Sequence, residues 1–378
     1  MPRARVTRRS VAVRASAAPV TPSSATSANE LQSLGRLSTI VPDTFAMETL
    51  TPGAKLAAAT VSAATLRYCL MGGSTGLKPY ENAINAALAA GKGGSSPLAA
   101  ASDPLDRAMV NVGAMLCDAV WGRVETVVDP RICNDTGAIV SKVRSLAALY
   151  GSLRVPRERL VFALPATWAA TQAAKPLEAE GIATNVNMVF SMAQGVAAMQ
   201  AGASVIRVNV GRIREWYDKN PGAIKNPRGP REDAGLSTSY DPGLELVRSL
   251  YTYKQRYHPR TAIMAMGLRT RQDALDLAGV DYLILSSRVI EQLSAIETDQ
   301  GYNDGLSAVG GSGGVDAALY PGMPVPADFQ QWPALTEAEW REGLGLCASE
   351  LLKTQLARRV ADVEELVALM GSRITASF

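Results

Sequence analysis

At 378 residues, 47% apolar and 19% charged, the chain has ample material for a large core and is not the composition of a disordered protein. A net charge of +3, with several arginines crowded into the first residues, leaves the folded part near neutral and gives no support to nucleic acid binding. Four scattered cysteines without a CxxC pair, and the single histidine His258, exclude the common zinc patterns and make a disulfide framework a poor reading. No metal and no cofactor is expected, and a hydrolytic triad would have to use His258, in the polar segment RYHPR.

Residues 1–30 read as a transit peptide: Arg3, Arg5, Arg8, Arg9 and Arg14, many Ser, Thr and Ala, and no acid before Glu30. Val-Arg-Ala at 13 to 15 points to a plastid processing site and a stromal location, with the mitochondrion as the alternative and an untargeted basic tail as the plainer reading. No stretch approaches the ~20 apolar residues of a membrane span, so no membrane partner is expected.

From Leu37 onward, short apolar runs alternate with amphipathic stretches. TIVPDT (39 to 44), VETVVD (124 to 129), LVFALP (160 to 165), TNVNMVF (184 to 190), SVIRVNV (204 to 210), TAIMAMG (261 to 267) and YLILSS (282 to 287) read as parallel strands buried on both faces. An eighth, within Lys55 to Ser62, is weak. Between them lie helices, one opening at Asp135 and closing at Gly151, another opening at Ser191 and closing at Gly202. This alternation predicts a (β/α)8 TIM barrel with a closed parallel sheet over residues 31–378, finished by carboxy-terminal helices from Leu335 to Met370 packed on its wall. A doubly wound open sheet is the runner-up, but no GxGxxG follows the first strand, and GGSGG at 310 to 314 sits far downstream. Asn220 to Asp241 reads as a long loop.

Barrel chemistry sits at the carboxyl ends of the strands. That rim offers Asp43, Asn185, Asn187, Asn209, Arg212, Arg269, Ser286 and Ser287, with Arg207 inside a strand, and no lysine. The planar forks of Arg212 and Arg269 suit a phosphate or carboxylate, so a sugar phosphate or other small anion is the expected ligand. A salt bridge to a neighbouring helix is the plainer reading of each arginine.

VDPR with DTGAIVSKVRSLAALY (128 to 150), LPATWAATQAAKPLEAEGI (164 to 182), FSMAQGVAAMQAGA (190 to 203), VGRIREWYDKN (210 to 220), DPGLELVRSLYTYKQRY (241 to 257), MAMGLRTRQDALDLAGVDYLILS (264 to 286) and VPDT (41 to 44) together resemble transaldolase, from about Leu37 to Leu293. Members of that family move a dihydroxyacetone unit between sugar phosphates in the pentose phosphate pathway, through a Schiff base on a lysine at the end of the fourth strand. The resemblance puts that lysine at Ala163, the carboxylate that positions the catalytic water at Val127, a threonine at Asn187 and a serine at Arg207. The turn after the second strand survives only as Leu-Ala-Ala-Ala-Thr around 56 to 60. Asp43 and Asn185, at acid/base and polar positions, and Arg212 and Arg269, at phosphate positions, match.

An alanine methyl cannot form an imine, and a valine cannot shuttle a proton. The expectation is therefore a catalytically silent relative that keeps an anion site, with a protein partner or a second copy of itself as further possibilities. The alternative is an active transaldolase with relocated groups, for which Lys55 and Lys78 are the lysines nearest the second strand. A structural subunit without any ligand is the third reading. Buried Arg207 needs a counter-charge, and Asp43 is the expected partner. Pro176, inside the helix after the fourth strand, is an expected cost of ~3 kcal/mol unless it falls in a first turn or a kink.

Overall fold

The computed structural model describes residues 28–43, 56–72, 77–89, 103–223, 241–298 and 330–376. The basic amino terminus, Lys55, most of the Asn220 to Asp241 loop and GGSGG at 310 to 314 lie outside them.

Eight strands run in one parallel sheet: β1 (Thr39–Pro42), β2 (Leu56–Val61), β3 (Val120–Val127), β4 (Leu160–Pro165), β5 (Thr184–Val189), β6 (Val205–Asn209), β7 (Ala262–Leu268) and β8 (Tyr282–Leu285). The order β1-β8-β7-β6-β5-β4-β3-β2 brings β1 and β2 side by side, so the sheet curls into a nearly closed barrel. The weak eighth strand is real and is β2. Its residues 56 to 60 are the strand itself, not a turn following it.

The helices are α1 (Glu30–Leu37), α2 (Ala63–Met71), α3 (Lys78–Ala89), α4 (Pro104–Ala119), α5 (Thr136–Ser152), α6 (Trp168–Ala179), α7 (Met192–Gln200), α8 (Val210–Lys219), α9 (Pro242–Tyr257), α10 (Arg271–Leu275), α11 (Ser287–Ser294), α12 (Glu337–Glu342) and α13 (Gly345–Ala376). The caps read from the sequence hold: Asp135 accepts from the Ala138 amide at 2.9 Å and Ser191 from that of Gln194 at 3.3 Å. Asn209 and Ser286, offered above as rim ligands, are likewise spent as caps of α8 and α11. Pro176 lies in neither a first turn nor a separate element but in the last turn of α6, where the helix is about to end in any case.

Strand residues alternate, interrupted only where the register shifts on β2, β5 and β7. Val124, Phe162, Val186, Ile206, Ile263 and Leu283 point outward and pack with the helices in two large apolar clusters that form the layer between sheet and helices. Their neighbours Glu125, Val127, Ala163, Asn185, Asn187 and Arg207 therefore point into the barrel.

The carboxy-terminal helix departs from expectation. The early turns of α13 pack through Cys347, Ala348 and Leu351 beside Trp216 of α8, and its late turns pack through Val363, Leu366 and Met370 on the side of α2 and α3. These are different sides of the barrel. The helix spans the mouth instead of lying along the wall, and its middle carries Arg359 into electrostatic reach of inward-facing Glu125 and Arg207.

Candidate functional site at the barrel mouth

Three of the positions singled out in the sequence stand level with one another. Parallel pairing puts Val127 of β3 beside Ala163 of β4, and Ala163 beside Asn185 of β5, with Pro165 beside Asn187 one step nearer the rim. Ala163 is fully buried and Asn185 is 1% exposed. This shelf is apolar on two of its three strands.

Below the shelf lies a feature that sequence reasoning missed. Arg207 Nη1 donates to Glu125 Oε1 at 2.7 Å, and the Asn185 side-chain amide donates to the other carboxylate oxygen. Thr60 Oγ1 stands 3.5 Å from Glu125 as well. The predicted ion pair between Asp43 and Arg207 is not formed: Asp43 is exposed at the end of β1, and Arg207 is satisfied by Glu125. Parity held the clue. Glu125 lies two residues before Val127 on one strand, so both point inward.

The polar balance of this interior is incomplete. The side-chain oxygens of Asn185 and Asn187 are buried and without a hydrogen-bond partner. β5 is also the strained strand, for Met188 has φ of 59° where its register against β6 shifts. Fully buried Gln194 holds the segment by accepting from the Phe190 amide at 2.8 Å and donating to the Met188 carbonyl at 3.3 Å.

On the rim, Arg212 and Arg269 do come together, because α8 and β7 approach closely. A side chain at Gly211 would meet the Gly267 carbonyl at 2.7 Å, and Gly267 has φ of 76°, where glycine is the residue without strain. Both guanidiniums converge on one carboxylate: Arg212 reaches Glu215 at 3.0 Å and Arg269 bonds its other oxygen. Beneath them, Asp273 accepts from the Arg269 amide at 2.8 Å and from Arg214, whose guanidinium also bonds Asp241. Burial alone would raise the Asp273 carboxyl, but Arg214, the Arg269 amide and the Thr270 side chain outweigh it and hold the group below the usual aspartate range.

Neither Lys78 nor Lys254 is directed at the shelf formed by Val127, Ala163 and Asn185. Lys78 is exposed on α3 and bonds Glu81 at 2.9 Å. Lys254 is buried, but its partner Asp281, at 2.8 Å, also accepts from the Ile263 amide where β7 begins, at the opposite end of the barrel. No group of three or more His, Cys, Asp or Glu residues capable of holding a metal ion occurs among the described residues. No helix there is long and apolar enough to cross a membrane.

Comparison with known proteins agrees with this architecture. The sequence pattern of the transaldolase/fructose-6-phosphate aldolase family matches residues 43–320. The chain is 30% identical over 349 residues to a protein named transaldolase 1 from Pectobacterium atrosepticum, covering 92% of this chain and 100% of that one. It is also 30% identical over 315 residues to a transaldolase of Actinobacillus succinogenes, covering 82% and 90% respectively.

Proposed function

The chain belongs to the transaldolase/fructose-6-phosphate aldolase family, and from that premise we propose that it is a non-catalytic member that has kept a sugar-phosphate or small-anion site at its rim. The observation that carries this reading is Ala163, inward-facing on β4 and fully buried between Val127 and Asn185. A methyl group cannot form the imine through which a ketose would lose its carbon-carbon bond. Valine beside it offers no carboxylate to hold or deprotonate water. The space below is occupied by Glu125, which accepts from both Arg207 and Asn185.

The retained half of the site is Arg212 and Arg269, with Asp43 and Asn185 as surviving polar positions and Asn187 as an altered one. Two guanidiniums that already share one exposed carboxylate are arranged to share a phosphoryl group, whose oxygens accept from two forks at once. The basic, acid-free amino terminus supports import into a plastid. In that setting the chain would work as a sensor or assembly component, binding a metabolite or a protein partner without turning it over.

The test is chemical. The chain begun at Ser16, incubated with fructose 6-phosphate and borohydride, should show no mass increase while a control transaldolase gains one reduced sugar unit. A one-to-one adduct mapped to a lysine would overturn the proposal.

A further inference from the structure

A cleft opens at the mouth between the middle of α13, the first turn of α2 and the carboxyl end of β3, floored by Leu105, Met109, Val127 and Leu146. Its charged border comprises Asp106, Asp129, Asp362 and Arg359. Two of these carboxylates have cations of their own: Asp106 bonds Lys142 at 2.7 Å and Asp129 bonds Arg131 at 2.6 Å. Asp362, one turn along from Arg359, has Arg67 at 4.0 Å.

Arg359 is different. Among the described residues it has no hydrogen bond and no carboxylate within 4.0 Å. Asp362 and Glu125 attract it from further off, while Arg207 and Arg358 repel it, and Glu125 is already committed to Arg207. A guanidinium carries five N–H donors, and among the described residues those of half-buried Arg359 meet no protein acceptor, which leaves them to solvent in the cleft and open to a ligand. Burial, and next the repulsion of Arg207, hold this guanidinium below the ordinary arginine range. A bound anion would relieve both.

We infer that this cleft is a second anion site, separate from Arg212 and Arg269, which takes a carboxylate or phosphoryl group on a short apolar body through a two-pronged pair with Arg359. The apolar floor, completed by Val127, selects the body. Ala63 and Ala64, also in the lining, contribute first-turn amides of a nine-residue helix that have no acceptor among the described residues, a minor reinforcement of the same charge preference.

Calorimetric titration of the full chain with hexanoate, hexyl phosphate and inorganic phosphate tests this. Hexanoate or hexyl phosphate should bind more tightly than inorganic phosphate. Arg359→Gln should weaken the hexyl-selective binding about ten-fold or more, and the double variant Arg212→Gln/Arg269→Gln should keep that binding, losing only the anion binding of the rim arginines themselves. Equal affinity in wild type and Arg359→Gln, loss confined to the rim double variant, or no binding of the hexyl probes at millimolar concentration would each overturn the inference. If circular dichroism shows that Arg359→Gln does not fold, Arg359→Lys is read in its place. A point charge cannot make the two-pronged pair, so several-fold weaker binding supports the site and unchanged affinity refutes it. Because the rim variants are titrated separately, failure here leaves the proposed rim site to stand or fall by itself.

Discussion

Inside the mouth, Arg207 and Glu125 meet with 11% and 6% of their side chains exposed, whereas on the rim Arg212 and Arg269 meet Glu215 with exposures between 36% and 46%. The bonds are of similar length, but the surroundings assign them different work. A buried pair has given up its hydration, so each member depends on the other. An exposed pair has water as an alternative partner and contributes little to stability. The inner arginine is therefore structural, whereas the rim arginines can trade Glu215 for water, which is what the proposed anion site requires of them.

The largest effect that would break this contrast concerns Glu125. Glu125→Gln should lower the unfolding free energy by ~3–5 kcal/mol, the usual cost of stranding a buried charge, measured by urea denaturation. Replacing both partners, with Glu125→Leu and Arg207→Met, should recover much of that loss because no unpaired charge remains. A single variant as stable as wild type would mean that Arg207 reaches water, and the proposed division between inner and rim arginines would fail.

That pair also shows where sequence reading stops. Strands β1 and β3 to β8 were legible because a parallel strand covered on both faces leaves a near-continuous apolar run, and Asp135 and Ser191 were legible because capping is local. β2 was faint, since Leu-Ala-Ala-Ala-Thr-Val carries little of the β-branched bulk that marks a strand. Ala163, Val127 and Asn185 could be placed on strands, and parity could have put Glu125 on the same inner face as Val127. Its partnership with Arg207, 82 residues away, exists only once the sheet curls. Asp43 sits at a strand end, as a counter-charge for Arg207 would, but it lies exposed at the rim of β1. Arg359 left no local signal, because the position of one arginine on a 32-residue helix depends on how that helix crosses the barrel.

Asp273 stands between the two extremes, 8% exposed and tied to Arg214 and two amides. Its carboxyl is depressed in the folded state, so it contributes stability above the ordinary aspartate pKa of about 3.9, and that contribution is lost as pH falls through the folded value. Asp273→Asn should cost about 1–3 kcal/mol at pH 7, and the gap from wild type should narrow in acid. Parallel stability curves from pH 7 down to strongly acid conditions would show that the charge on Asp273 is not what holds Arg214 and the Arg269 turn.

The smallest stability change is expected at Glu215, and it sharpens the contrast most. Glu215→Gln removes a carboxylate shared by two exposed guanidiniums, so the unfolding free energy should change by less than about 1 kcal/mol. Affinity should move the other way. Phosphate or fructose 6-phosphate must displace Glu215 to reach Arg212 and Arg269, so losing that competitor should tighten binding several-fold, an effect that weakens as salt screens the exposed charges. A variant that binds these anions no better than wild type, at low salt and with its fold intact, would show that Glu215 does not compete for the rim arginines and would remove the argument that they are held ready for a ligand.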